Sequence, residues 1–200
     1  MALYGVGIND ANYSVTKYIL ESGKYKLIWT CPYYSRWKNM LVRCYSKAFQ
    51  KTSPTYLGCE VHPEWYLFSN FKSWMETQDW DGKQLDKDLL FRGNKVYGPQ
   101  TCVFVSTAVN NFMTESTKAR GADPIGVSFY KRYNAFVSSA NEVEYNKRVT
   151  IGIFPTAEDA FDAWLVFKVG QAKILASKQT DQRVAKALVE RYENYKTDIY

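Results

Sequence analysis

An α+β chain is predicted, in which a helical N-terminal region leads into a ββα unit, followed by a three-stranded antiparallel sheet packed on a helix and by a last helix. Three observations predict it. Apolar residues recur at three and four in residues 32–46, 65–75, 156–175 and 179–200, the signature of helices with one buried face. Short β-rich runs at 85–90, 102–105, 125–137 and 150–154 are separated by Gly, Pro and Asn clusters. Residues 114–124 are small, polar and turn-rich, which sets a linker between the ββα unit and the sheet.

Residues 1–30 are broken into turns by Tyr4, Gly5, Gly7, Asn9, Asp10 and Gly23, and the alternation in Lys24-Tyr25-Lys26-Leu27-Ile28-Trp29 predicts a strand. In residues 32–46 the stripe Tyr33, Trp37, Met40, Leu41, Cys44 predicts an amphipathic helix, with Arg36, Lys38 and Arg43 on its other faces. Those cations are read as a solvated basic side, with phosphate contact as the alternative. A second stripe, Trp65, Phe68, Phe71, Trp74 and Met75, predicts a core helix. Leu85–Leu90 and Cys102–Val105 then form a hairpin with a broad loop punctuated by Arg92-Gly93-Asn94-Lys95 and Gly98-Pro99. Ser106 or Thr107 caps the next helix, whose Val109 and Phe112 are expected to pack back on the hairpin. Residues 114–124 are small and polar, a linker between a first domain at 1–113 and a second at 125–178. Three strands and a helix capped by Thr156, with Asp159 at the third position, fill the second domain. Val184, Ala187, Leu188, Arg191 and Tyr192 give residues 179–200 a final helix.

Composition narrows the function classes. The 200-residue chain carries a formal net charge of +6, with 16 Tyr and 6 Trp. Such a balance favours a polyanionic partner and offers rings on which bases could stack, although a merely solvated basic surface has the same composition. No apolar run near the length of a membrane span occurs, and the first residues lack a signal-peptide pattern, so a cytoplasmic location without membrane association is expected. Cys31, Cys44, Cys59 and Cys102 are widely spaced, without a Cys-x-x-Cys pair. Buried free thiols are expected in preference to zinc, for which Cys44, Cys59 and Cys102 would be the trio.

Two stretches resemble known families. Leu85-Asp86-Lys87-Asp88, Gly93-Asn94-Lys95-Val96-Tyr97, Pro99-Gln100-Thr101-Cys102-Val103-Phe104-Val105 and Asn110-Asn111 resemble the ββα core of phage-type HNH (His-Me finger) endonucleases. The run Trp37–Tyr45, followed by Glu64-Trp65 and Phe68-x-x-Phe71, resembles the helical prelude of a divergent phage branch. The resemblance implies a DNA endonuclease, homing or nicking, in which Asp86, Lys87, Asp88, Asn94 and Asn110 occupy catalytic positions. Here Lys87 stands where the general-base His would be and Thr101 where the turn Asn would be. Asp86 and Asp88, two apart in a strand and hence on one face, would hold Mg²⁺ or Mn²⁺. Alternatively, these Asp side chains bond loop amides around Gly93-Asn94. His62, the only histidine, lies well before Asp86 in a turn, with nothing in the local pattern aiming it at the hairpin.

Further on, Gly126-Val127, Tyr133-x-Ala135, Ile151-Gly152-x-Phe154 and the run Thr156–Trp164 resemble the Apetala-type (ethylene-response-factor-like) DNA-binding domain. That likeness implies a sheet presented to the major groove of double-stranded DNA, with Arg120, Ser128, Tyr130, Lys131, Arg132, Tyr133, Lys147 and Arg148 as contacts. The combination implies a DNA endonuclease in a bacterial host's cytoplasm. Its alternatives are a non-cutting, nuclease-derived DNA binder acting as regulator or host-takeover factor, and a protein-binding inhibitor. A homodimer or a host protein partner is compatible with each.

Overall fold

The protein, a computed structural model, is described over residues 2–114, 123–145 and 147–197. It divides into two units, Met1–Val105 and Ser106–Tyr200. The expected linker at 114–124 and Arg120 fall largely or wholly outside the described residues. Among the described residues no helix is long and apolar enough to cross a membrane.

In the first unit, β1 (Thr16–Glu21) and β2 (Lys24–Thr30) form a hairpin; β2 is where alternation predicted it and β1 was not anticipated. Its turn, Ser22-Gly23, runs through positive φ at both residues (52° and 75°), the conformation that matches the twist of paired strands. The register puts Tyr18, Leu20, Tyr25 and Leu27 on one face, all exposed, while Lys26 pairs with Glu21 at 2.9 Å on the other.

Helix α1 (Pro32–Tyr45) starts with proline, whose missing N–H costs nothing in a first turn. It buries Trp37, Met40, Leu41 and Cys44, the residues its periodicity singled out. A short helix α2 (Lys47–Thr52) is capped by Ser46. Strand β3 (Glu60–Val61) leads through a 3₁₀ turn at Pro63–Tyr66 into α3 (Phe68–Glu76). Trp37, Trp65, Phe68 and Phe71 pack as tilted and edge-to-face rings, and the Trp37 indole donates to the Trp65 carbonyl at 2.7 Å. That bond satisfies a polar atom that would otherwise be orphaned in the core. The N-terminal turn, bridged between Leu3 and Gly7, lies so close that a Cβ on Gly7 would meet Leu41 Cδ1 at 2.4 Å, which is why glycine stands there.

Strand β4 (Gln84–Asp86) pairs antiparallel with β6 (Val103–Val105), as the hairpin reading expected, but each strand has only three residues. Between them β5 (Val96–Tyr97) leaves the hairpin to pair parallel with β3. The fold is thus mixed α+β with several small sheets.

The second unit opens with α4 (Thr107–Met113), capped by Ser106. The Phe112 carbonyl accepts from the Lys168 ammonium and the Tyr192 hydroxyl, both at 3.0 Å, and its ring meets Tyr192 edge-on. Strands β7 (Val127–Tyr130), β8 (Ala135–Asn141) and β9 (Arg148–Phe154) form one antiparallel sheet in chain order. The expected strand through Arg132 is corrected. Residues Lys131–Tyr133 form a 3₁₀ turn closed by left-handed Asn134 (φ 47°), a conformation asparagine tolerates better than most residues. Helix α5 (Ala157–Ala176) covers one sheet face. Thr156 caps it, accepting from the Asp159 amide at 3.1 Å while its hydroxyl donates to the Asp159 carboxylate at 2.6 Å. Ser138 is buried on the helix side, and Gly126 is obligatory there: its φ is +78° and a Cβ would sit 1.9 Å from the Trp164 ring. Helix α6 (Gln182–Glu193) buries Val184, Leu188 and Tyr192 of the expected stripe and packs on α5, a partner the sequence left open.

Candidate functional site

Two groups of residues carry the functional expectations, one in each unit. The first is the segment from Asp86 to Thr101. Strand β4 stops at Asp86, so Asp88 is not on the strand and the shared face expected for the two carboxylates does not exist. Asp86 Oδ1 instead accepts the amides of Asp88 and Leu89, at 2.9 and 2.7 Å, closing an Asx turn. Burial pushes the Asp86 carboxyl above its usual range, against the opposing pull of those amides. Lys87 is buried, its ammonium bonded to the Asp88 carboxylate and, at 2.7 Å, to the Asn94 carbonyl, with the Tyr97 ring beneath it. Asn94 donates through Nδ2 to the carbonyls of Lys87 and Val96 and accepts from the Val96 amide. Thr101, at the turn position where the resembled nucleases carry Asn, donates its hydroxyl to the Val96 carbonyl at 2.7 Å.

The side chains of Asp86, Lys87, Asn94 and Thr101 are thus engaged in holding the loop. A divalent ion needs several convergent oxygens with open lone pairs. As placed, Asp86 and Asp88 do not supply that shell, and among the described residues no group of three or more His, Cys, Asp or Glu side chains could hold a metal. Asn110 sits on α4 in the second unit, where its carbonyl accepts from Thr114 Oγ1.

His62 is where the fold departs most from sequence expectation. The parallel β3–β5 pair bonds its amide to the Tyr97 carbonyl at 2.8 Å, and a Cβ on Gly98 would lie 3.1 Å from His62 Cβ. The histidine therefore borders the same loop, half exposed, with Nδ1 accepting from the Glu64 amide at 3.4 Å. Only a parallel pairing between distant segments could reveal this, and dipeptide strands give no sequence signal.

The thiols of Cys44, Cys59 and Cys102 are buried and free. Burial drives Cys44 and Cys102 up to about 12, so both are neutral and poor nucleophiles at physiological pH.

The second group lies on the sheet of the second unit. Ser128, Val137 and Ile153 are in register across the three strands, and with Tyr130 they form the face turned away from α5. Tyr130, Tyr133 and Ile153 are exposed, as are Lys131, Arg132, Lys147 and Arg148. At one end Tyr130 and Tyr133 have ring centroids 5.2 Å apart, and the Arg132 guanidinium lies 5.8 Å from the Tyr133 ring. At the other end Arg148 donates to Ser139 Oγ at 2.7 Å, beside exposed Lys147. The structure brings Tyr130, Arg132 and Tyr133 together but holds them apart from Arg148 by the length of β8, roughly 20 Å at about 3.3 Å per residue. Among the described residues none of Lys131, Arg132, Lys147 and Arg148 has a carboxylate partner. Tyr145, exposed in the β8–β9 turn, was not singled out from the sequence, because a lone Tyr in a polar turn carries no periodic signal.

The chain was compared with protein-family models, with curated proteins and with solved structures, and none of the three comparisons gave a match.

Proposed function

We propose that the protein binds double-stranded DNA through the open face of the β7–β8–β9 sheet and that its HNH-like loop serves as scaffold rather than as a hydrolytic centre. The observation that carries the reading is the set of four exposed cations, Lys131, Arg132, Lys147 and Arg148, without carboxylate partners, at the two ends of a sheet edged by Tyr130 and Tyr133. Cations left without counterions gain most from meeting phosphates, since each contact releases condensed ions from the DNA. A separation of roughly 20 Å matches about six base-pair steps, so both ends can meet one duplex while the ribbon between them enters the major groove. In this reading the protein acts on DNA by occupying it, as a regulator or host-takeover factor would.

Fluorescence anisotropy with labelled duplex DNA at several salt concentrations tests it. Arg148→Ala should weaken binding and flatten the salt slope by ~1 if the side chain contacts phosphate. Full affinity in both Arg132→Ala and Arg148→Ala removes the sheet as a DNA surface.

Cleavage is the second reading, and what favours it is the position of His62 beside Gly98 in the loop aligned with the HNH core. An imidazole is the side chain most often used as a general base. Supercoiled plasmid with Mg²⁺ or Mn²⁺ decides between the two. Nicking by wild type that disappears in His62→Ala supports hydrolysis. Inert wild type and inert Lys87→His, with DNA binding retained, leaves the binder.

A further inference from the structure

A recess of about 170 Å³ in the first unit is lined by Arg36, Asn39, Met40, Arg43, Gln84 and Leu85. Arg36 and Arg43 are two helical turns apart on α1 and so point from one side of the helix, with Asn39 between them. Gln84 opens β4, two residues before Asp86.

Both guanidiniums are part-buried, and among the described residues neither meets a carboxylate. Arg36 Nη2 reaches the Lys83 carbonyl at 3.4 Å, and its Nε is buried with no partner. Arg43 Nη1 touches the Tyr97 hydroxyl at 3.5 Å, and its guanidinium lies 5.5 Å from the Tyr56 ring. These are long, neutral contacts, which orient an arginine without neutralising it. No acidic side chain lines the recess. Two like charges withdrawn from water around one small cavity repel each other, and a buried donor left unmade is unfavourable. An anion resolves both. Planar guanidinium forks match tetrahedral oxyanions, and the Asn39 amide adds a neutral donor at the rim.

We infer that this recess is a phosphate-binding site that takes a phosphate group, either a phosphodiester of the DNA backbone or a free phosphate. The cavity is large enough for one phosphate and too small for a nucleoside. A backbone phosphate seated there would lie at the start of the strand leading into the Asp86–Thr101 loop, which would fix a strand of DNA against the first unit. Only this last step rests on the DNA-binding reading; the anion site itself does not.

The experiment uses the whole protein and two probes. Thermal melting in inorganic phosphate against chloride at matched ionic strength should show a stabilisation of about 2 °C or more at high phosphate. Arg36→Gln should abolish the increment, whereas Lys38→Gln, exposed on the same helix and outside the recess, should keep it. In parallel, duplex DNA is titrated into Arg36→Gln and Arg132→Ala. Loss of the phosphate increment together with a DNA salt slope lowered by ~1 in Arg36→Gln identifies a backbone phosphate as the ligand. Loss of the increment with unchanged DNA binding identifies free phosphate, and the site stands. A phosphate increment that is absent from wild type, or equal in wild type and Arg36→Gln, overturns the proposal even if Arg132→Ala still weakens DNA binding. A weak Arg36→Gln beside an unaffected Arg132→Ala would remove the sheet reading and keep the recess.

Discussion

The Asp86–Thr101 loop and the open sheet face are both polar and both rich in residues that could do chemistry, yet they use those residues in opposite ways. In the loop, the side chains of Asp86, Lys87, Asn94 and Thr101 are bonded to the loop's own backbone, and Lys87 is buried. On the sheet, Lys131, Arg132 and Lys147 are exposed and, among the described residues, carry no internal ion pair. A polar group already satisfied inside a fold has little free energy left to offer a ligand, because binding must first break what it holds. A solvated cation exchanges water and salt ions for phosphate at small cost. The difference teaches that residue type marks a candidate site, but the unspent hydrogen-bonding capacity of its side chains decides what the site can do.

Four substitutions break or sharpen that contrast. The largest effect is expected from Gly126→Ala, since its Cβ would enter the Trp164 ring and its φ is left-handed. We expect a loss of about 3 kcal/mol in the second unit, with DNA binding failing as the sheet detaches from α5. Hydrogen exchange around Trp37 and Trp65 should stay slow. Uniform loss of protection in both units would show that they do not unfold separately.

Next comes Asn94→Ala, which removes two donated bonds and one accepted bond from the loop. Denaturant titration should report a loss of about 2 kcal/mol, with no change in DNA affinity of the folded protein. A variant that keeps its stability but loses DNA binding would reverse the assignment of the loop as scaffold.

Arg132→Ala is the mirror image. Its melting should remain within about 0.5 kcal/mol of wild type, because an exposed side chain stacked on Tyr133 contributes little to folding. DNA affinity should fall several-fold and the salt slope by ~1.

The smallest effect belongs to Asp86→Asn. Burial raises the Asp86 pKa in the folded protein, so the native state holds that proton more tightly than the unfolded chain does. Its contribution to stability is therefore full below the ordinary carboxylate range and is lost as pH rises through the folded value. Asparagine can still accept the two amides without carrying a buried charge. At neutral pH the variant should be equal to or slightly more stable than wild type, by less than about 1 kcal/mol, and the difference should shrink toward about pH 3.5. A clear destabilisation at neutral pH, growing with added Mg²⁺, would instead mark Asp86 as an ion ligand.

The sequence by itself determined the named helices other than α2, and the second unit's three-stranded sheet. The stripe Trp37, Met40, Leu41, Cys44 became the buried face of α1, and the Thr156–Asp159 pair became the cap of α5, since periodicity and capping act within one or two turns of chain. Tertiary structure alone decided who satisfies whom. It ended β4 at Asp86 because an Asx turn took the carboxylate, and it carried β5 away from the hairpin to β3, which set His62 beside Gly98. It placed Phe112 under Tyr192, 80 residues further along the chain. Contacts of this kind join segments whose local patterns are silent about each other. Their outcome depends on which burial leaves the fewest polar groups unpaired across a whole unit, and no window of sequence contains that sum.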